Sequence, residues 1–287
     1  MSPQAPLGVF DSGLGGLTVV RALLERLPEE RIIYLGDNAR VPYGTRSANT
    51  VTRYARGCAR VLIERKVKAL IVACNTVSAV ALDVLRAELD LPVIGAVEPG
   101  ASAAVHAVEK LAVRPAGPPK IGVLGTSGTI ASGAYPRAVA QISTRFEVLG
   151  HAAPLLVPLV EEGWLEGAVP ELAVRRYLEP LVSGGAGVIV LGCTHYPLLK
   201  NTIGNVAAEL AGTQVPIVDS AEATAGRAAE LIAEGRIAGA NPLTWAAGAP
   251  RLELLVTDLP GTFDGVARRF LGAETPAVAQ IDLVAPS

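Results

Sequence analysis

The chain has 287 residues, near twice the usual length of one domain, so two domains or one large α/β unit is expected. Half of the residues are hydrophobic, 18% are charged and only 4% are aromatic, which excludes intrinsic disorder and calls for an interior of Ala, Val, Leu and Ile. Lys and Arg number 25 against 27 Asp and Glu, a formal charge of −2 with no basic block, so neither a nucleic acid nor a membrane surface is an expected partner.

From the start of the chain, Met1 to Pro6 carry no positive charge and no apolar core, and no secretory leader is expected. Apolar runs over 7–10, 32–35, 70–72 and 93–94 predict strands, and helical periodicity over 17–27, 48–65 and 77–89 fills the gaps. This β-α-β-α order predicts a parallel sheet covered on both faces. The longest apolar stretch, 69–82, is interrupted by Asn75, Thr76 and Ser78 and is too short to span a membrane. A Pro/Gly-rich stretch over 114–120 has no periodicity and is the candidate linker.

Beyond it the pattern restarts. Gly8-Val9-Phe10-Asp11-Ser12 is echoed 114 residues later by Gly122-Val123-Leu124-Gly125-Thr126. Leu70-Ile71-Val72-Ala73-Cys74 is echoed 119 later by Ile189-Val190-Leu191-Gly192-Cys193, and Pro92-Val93-Ile94 is echoed 124 later by Pro216-Ile217-Val218. Three echoes in one order with a smoothly drifting offset predict two similar α/β halves, one continuous doubly wound sheet being the alternative. A strand over 252–256 and a helix over 263–271 belong to neither repeat.

Ligands of parallel sheets bind beyond the carboxyl ends of the strands, where this sequence places Asp11-Ser12, Asp37-Asn38, Cys74-Asn75-Thr76, Thr126 and Cys193-Thr194-His195. The three cysteines are an odd number without metal-site spacing, which predicts reduced thiols in the cytoplasm and no metal site. Cys58 falls on one helical face with Tyr54, Val61, Leu62 and Arg65 and reads as core. Cys74 and Cys193 occupy equivalent strand ends, where two facing domains present one thiol from each side of a cleft. Such a pair suits removing a proton from one face of a carbon and delivering one to the other. Asn75 or Thr76, and Pro197 on the other side, read as helix-start residues, a setting that lowers a thiol pKa toward neutrality. His195 can exchange a proton with Cys193, and Asp11 can do so beside Cys74.

The bland alternatives are a packing role for each Cys, a capping role for His195 and a turn-capping role for Asp37. Gly13-Leu14-Gly15-Gly16 after the first strand, with Asp37 after the second, forms much of a dinucleotide fingerprint. Its last glycine falls at Thr18, however, and Asp11 puts a carboxylate where a pyrophosphate belongs. A turn that only packs a helix on the sheet is the other reading.

The ordered set also includes Tyr34-Leu35-Gly36-Asp37, Pro42-Tyr43-Gly44, Gly125-Thr126 with Thr129, Val157-Pro158-Leu159-Val160-Glu161 and Gly192-Cys193-Thr194-His195-Tyr196-Pro197-Leu198. Together these segments, running from Gly8 to Glu222, resemble the glutamate racemases, cofactor-independent members of the aspartate/glutamate racemase superfamily. The resemblance implies two α/β domains, 1–98 plus 212–287 and 99–211, with the active site in the cleft between them. The repeat arithmetic, by contrast, gives 216–220 to the second half. The resemblance further implies that Cys74 takes the α-proton of D-glutamate and Cys193 that of L-glutamate, with Asp11 and His195 assisting and Asp37 and Glu161 auxiliary. Substrate contacts are implied for Asp11, Ser12, Tyr43, Gly44, Asn75, Thr76, Thr126, Thr194 and His195. It implies no cofactor, a homodimer, and D-glutamate for cell-wall peptidoglycan. A non-catalytic two-lobed amino-acid-binding protein, or a racemase of a related amino acid such as aspartate, is the alternative.

Overall fold

The computed structural model describes residues 2–111, 120–241, 245 and 250–283. The expected linker lies outside the described residues except for Lys120, which opens a strand. In the first half, β1 (Leu7–Asp11), β2 (Ile32–Gly36), β3 (Ala69–Val72) and β4 (Val93–Gly95) are joined through α1 (Leu17–Arg26), α2 (Ala48–Glu64), α3 (Asn75–Val80) and α4 (Leu82–Glu88). Every residue of these four strands is buried, as parallel strands with helices on both faces require. Then α5 (Val97–Glu109) leads to the second half.

There β5 (Lys120–Gly125), β6 (Glu147–Ala152), β7 (Ala186–Gly192) and β8 (Ile217–Asp219) alternate with α6 (Ser127–Ala131), α7 (Ala134–Ile142), α8 (Leu156–Glu161), α9 (Ala168–Ser183) and α10 (Lys200–Ala211). The chain closes with α11 (Ser220–Ala233), β9 (Leu252–Val256), α12 (Phe263–Leu271) and β10 (Val278–Gln280).

All strand pairs are parallel, in the orders β10-β9-β2-β1-β3-β4 and β6-β5-β7-β8. Without β9 and β10, the first order becomes β2-β1-β3-β4, which is the second order with each strand replaced by its counterpart. The register agrees too. Gly8 faces Leu70 as Gly122 faces Ile189, and Leu70 faces Val93 as Ile189 faces Ile217. These are the residues that the sequence echoes align, so the two halves are copies of one unit.

Two expectations are corrected. The boundary at 212 does not match the pairing, because β8 adds to β7 at the edge that β4 occupies in the first sheet. Residues 217–219 therefore lie in the second sheet, and only β9 and β10 return to extend the first. The helix expected over 77–89 starts earlier and bends at Ala81, whose φ of −123° leaves the helical range. Its hydrogen bonding continues through the bend, from Ala81 N–H to Val77 O and from Leu85 N–H to Ala81 O.

The halves share a core. Leu17, Val20 and Leu23 of α1 belong to the same buried cluster as Ala221, Ala225 and Ala228 of α11. Burying each such Leu is worth about 1.5–3 kcal/mol. α11 packs against both α1 and α5, which ties the strand ends of the two sheets to one another.

Candidate active site

A cavity of about 310 Å³ opens where the carboxyl ends of the two sheets meet. Ser12 follows β1, Cys74, Asn75 and Thr76 follow β3, Thr126 follows β5, and Cys193, Thr194 and His195 follow β7, and all of them line it. Tyr43, Gly44 and Glu161 line it as well. Asp11 and Asp37 are fully buried behind this wall and do not line it. Larger hollows of about 630, 910 and 500 Å³ lie elsewhere and are lined by no cysteine.

On the first side, Cys74 occupies the position before α3, so the cysteine rather than Asn75 or Thr76 precedes the first helical turn. Its Sγ lies 3.5 Å from Ser12 Oγ. Burial, reinforced by the negative charge of Asp11, pushes the Cys74 thiol up to about 12, offset only in part by the Ser12 hydroxyl and the Val77 N–H. The expected lowering of this thiol by the helix start is therefore overturned, because desolvation outweighs it. Asp11 Oδ2 accepts from the Gly13 N–H at 3.1 Å while Oδ1 is buried without a partner. Burial raises the Asp11 carboxyl pKa, and His195 opposes the rise.

On the second side, Cys193 Sγ lies 3.9 Å from His195 Nδ1, and His195 Nε2 lies 3.0 Å from Glu161 Oε1. Burial alone lowers the imidazole, but hydrogen bonds to Cys193 and Glu161 and their charges prevail and push His195 up to about 10. The same bond holds the half-exposed Glu161 below the usual carboxylate range. His195 is therefore an imidazolium at neutral pH, within reach of the Cys193 sulfur. No regular helix starts directly after Cys193; a 3-10 turn over Tyr196–Leu199, with Pro197 near its start, precedes α10.

Hydrogen bonds cross the cleft in both directions. Asn75 accepts from Tyr135 Oη at 2.9 Å and donates to Ser220 Oγ at 3.2 Å, so much of its side chain is committed to the second half. Thr18 of α1 donates to the backbone oxygen of Thr194 at 3.0 Å. Thr76 Oγ1 lies 2.9 Å from Thr126 Oγ1 and 3.3 Å from Thr129 Oγ1. The Gly128 N–H donates to Gly44 O at 2.9 Å.

The glycine-rich loop is explained by packing. A Cβ on Gly15 would meet Thr194 Oγ1 at 2.4 Å and His195 Nδ1 at 2.5 Å, so only glycine lets α1 approach the loop bearing Cys193. The Asp11 carboxylate takes the loop N–H that a phosphate would need. Asp37 accepts from Arg40 Nε at 2.7 Å, from Thr257 Oγ1 at 3.1 Å and from the Tyr43 hydroxyl, so it holds the cavity wall without touching the space inside. Cys58 is buried beside Val51, Ala55 and Leu62 as expected, with its thiol also facing Arg40 and Tyr43.

Sequence reasoning did not name Val41, Pro42, Thr45, Ser127, Pro154, Val157 or Pro158 as site residues, although all of them line the cavity. Pro154 and Val157 follow β6, an edge strand whose side chains are exposed or half-buried and so give no apolar run to mark a strand end. Val41 and Thr45 simply flank the predicted Pro42-Tyr43-Gly44. Among the described residues no group of three or more His, Cys, Asp or Glu side chains is placed to hold a metal ion, and no helix is long and apolar enough to cross a membrane.

The Asp/Glu/hydantoin racemase family model matches residues 12–228. The chain is 46% identical over 283 residues to the glutamate racemase of Geobacter metallireducens, covering 99% of this chain and 98% of that protein. A glutamate racemase isoform from Bacillus anthracis superposes with a TM-score of 0.87 at 36% identity, covering 98% of this chain and 99% of the other. The glutamate racemase of Francisella tularensis, solved in complex with D-glutamate, gives 0.85 at 34% identity over 98% of this chain and 99% of that one. With duplicated sheets, a cleft between them and a thiol at each equivalent strand end, this chain belongs to the Asp/Glu/hydantoin racemase family, among its glutamate racemases.

Proposed function

We propose that this chain interconverts L- and D-glutamate by taking the α-proton with one thiol and returning a proton from the other. The observation that carries the reading is that Cys74 and Cys193, at equivalent ends of the two sheets, line one small cavity. Toward L-glutamate Cys193, with the His195 imidazolium beside it, acts as the base, and Cys74, whose pKa burial raises, acts as the acid. Cys193 removes the α-proton of L-glutamate, the electron pair stays on the substrate, and the Cys74 thiol delivers its proton to the opposite face. For the D-enantiomer Cys74 first passes its proton to Asp11 and His195 passes one to Cys193; Cys74 then takes the α-proton and Cys193 delivers its proton to the opposite face.

An α-proton is very weakly acidic, so charge developing on the substrate carboxylate needs preorganised donors. Ser12, Thr76, Thr126 and Thr194 offer hydroxyls, and Asn75 offers its backbone N–H because its side chain is engaged elsewhere. Tyr43 and Gly44 shape the wall, and Asp37 acts through Tyr43 as a positioning residue. Glu161 holds His195 charged. The chemistry is complete without an added cofactor.

The same reading makes the protein cytoplasmic, with D-glutamate passing to peptidoglycan synthesis. It also makes it a homodimer, for which the exposed Leu155, Trp164, Val169 and Leu172 offer apolar surface that sedimentation can test. The decisive experiment is incubation of the protein with L-glutamate in D₂O without cofactor. Loss of optical rotation together with α-deuterium incorporation supports the proposal. Tight glutamate binding without exchange sinks it in favour of a binding protein, and faster exchange of aspartate transfers it to that substrate.

A further inference from the structure

The tail helix α12 has no counterpart in the second half, yet two consecutive residues of it reach the His195–Glu161 pair. Phe270 is fully buried and sets its ring edge-on to the imidazole, with centroids 5.0 Å apart and planes at 81°. Arg269 donates from Nη1 to the backbone oxygen of Val160 at 3.3 Å and to that of Glu161. These are the last carbonyls of α8; Val160 O also accepts from the Gly163 N–H at 3.0 Å just past the helix end, so Arg269 adds a side-chain donor to a backbone cap. Just beyond, Gly163 turns with φ +80°, and a Cβ there would meet Arg269 Nη2 at 2.8 Å. The turn therefore leaves room for the guanidinium. Neither Arg269 nor Phe270 lines the cavity.

We propose that Arg269 and Phe270 are positioning residues for the Cys193 side. Arg269 fixes the end of α8, and so the Glu161 carboxylate, while Phe270 fixes the plane of the ring that Glu161 grips. The C-terminal helix thereby sets the geometry of one thiol's proton partner and has no equivalent contact with the other. The proposal rests on the reading of His195 as the partner of Cys193. The titratable groups facing the ring are Glu161 from α8, Cys193 on its own loop and Asp11 from β1.

The test uses the full chain carrying R269Q, R269K or F270L. There are only three histidines, so the His195 ring can be followed by NMR through a pH titration and assigned with H195Q. R269Q is expected to lower kcat about tenfold with KM within about twofold, less than the hundredfold that a misplacement of about 1 Å can cost. It is also expected to move the His195 midpoint downward, because a loosened Glu161 supports the imidazolium less. The sign is diagnostic, since removing a cation that acted only through its charge moves the midpoint upward. R269K, whose ammonium can still meet the α8 carbonyls, is expected to restore most of the rate and the midpoint, and F270L to give a smaller kcat loss and a broadened ring signal. An unmoved or raised midpoint in R269Q, or failure of R269K to rescue, overturns the proposal. Full activity in H195Q instead overturns the reading beneath it.

Discussion

Cys74 sits before a short helix with Ser12 for its hydroxyl neighbour and the Asp11 carboxylate raising its pKa, whereas Cys193 has an imidazole that a carboxylate keeps charged. Both thiols end copies of the same strand in the same register, and both are buried to the same degree. Duplication therefore fixed where the sulfur atoms lie, and the loops that diverged afterwards gave each sulfur a different neighbour, Ser12 and Asp11 on one side and His195 on the other. A reaction that needs one base and one acid at each turnover benefits from that asymmetry, since two equally acidic thiols would spend part of their time in the wrong combination.

The largest effect expected is loss of either thiol. C74A and C193A should each cost about a thousandfold or more in kcat/KM, within the range for removing a general acid or base. The two enantiomers have equal free energy in water, so each variant must lose kcat/KM equally in both directions. The asymmetry should instead appear in the wild-type pH profile and in hydrogen isotope effects measured from each enantiomer. An alanine variant that keeps wild-type activity breaks the two-base comparison outright.

Next come the partners. H195Q should cost about a hundredfold and remove the alkaline limb near pH 10, because the wild-type imidazolium is lost as pH rises through its raised pKa. The same shift has a stability consequence with a definite sign. A His whose folded pKa is raised stabilises the fold fully below about 6.5, and the contribution fades as pH rises toward 10. Denaturant unfolding of wild type against H195Q should therefore show a gap that closes over that interval. D11N acts on the other thiol. It removes the charge that helps to raise Cys74, so the pH at which Cys74 is half-alkylated, read by peptide mass, should move downward from about 12. An upward move would show that the carboxylate is not the group burdening that thiol.

Much of this asymmetry was hidden from sequence, although its frame was legible. Apolar runs ending in Cys74 and Cys193 marked both strand ends, and the drifting echoes aligned residues that pair in the sheets. The boundary at 212, taken from the resemblance, departs from the strand pairing at β8, whereas the echo of 92–94 at 216–218 already places that strand in the second half. The direction of the Cys74 shift was read wrongly. A helix start is visible in sequence, but full desolvation and an opposing carboxylate depend on what folds over the thiol. Asp37 looked like a strand-end group of the same kind as Asp11, and only the position of Tyr43 shows that it works from behind the wall. Arg269 and Phe270 lay in a tail whose sequence gave no chemical signal at all.

The smallest effects should come from the ties across the cleft, where the two halves repeat one device. Thr18 lies on the helix after β1 and grips the residue following Cys193, while Tyr135 lies on a helix between β5 and β6 and grips the residue following Cys74. Each copy thus holds the loop bearing the other copy's thiol. The two ties differ in what they hold. Thr18 bonds a backbone oxygen, whereas Tyr135 bonds the side chain of Asn75, whose backbone N–H is the proposed donor to the substrate. T18V and Y135F should each cost about 1 kcal/mol in denaturant unfolding, the usual net worth of one hydrogen bond. Only Y135F should also raise KM for glutamate, by about two- to fivefold, as a substrate-binding N–H is left less well aligned. Equal KM values in the two variants would mean that Ser220 alone suffices to orient Asn75, since it donates onward to Leu191 O at 2.7 Å and remains in place when the tyrosine hydroxyl is gone.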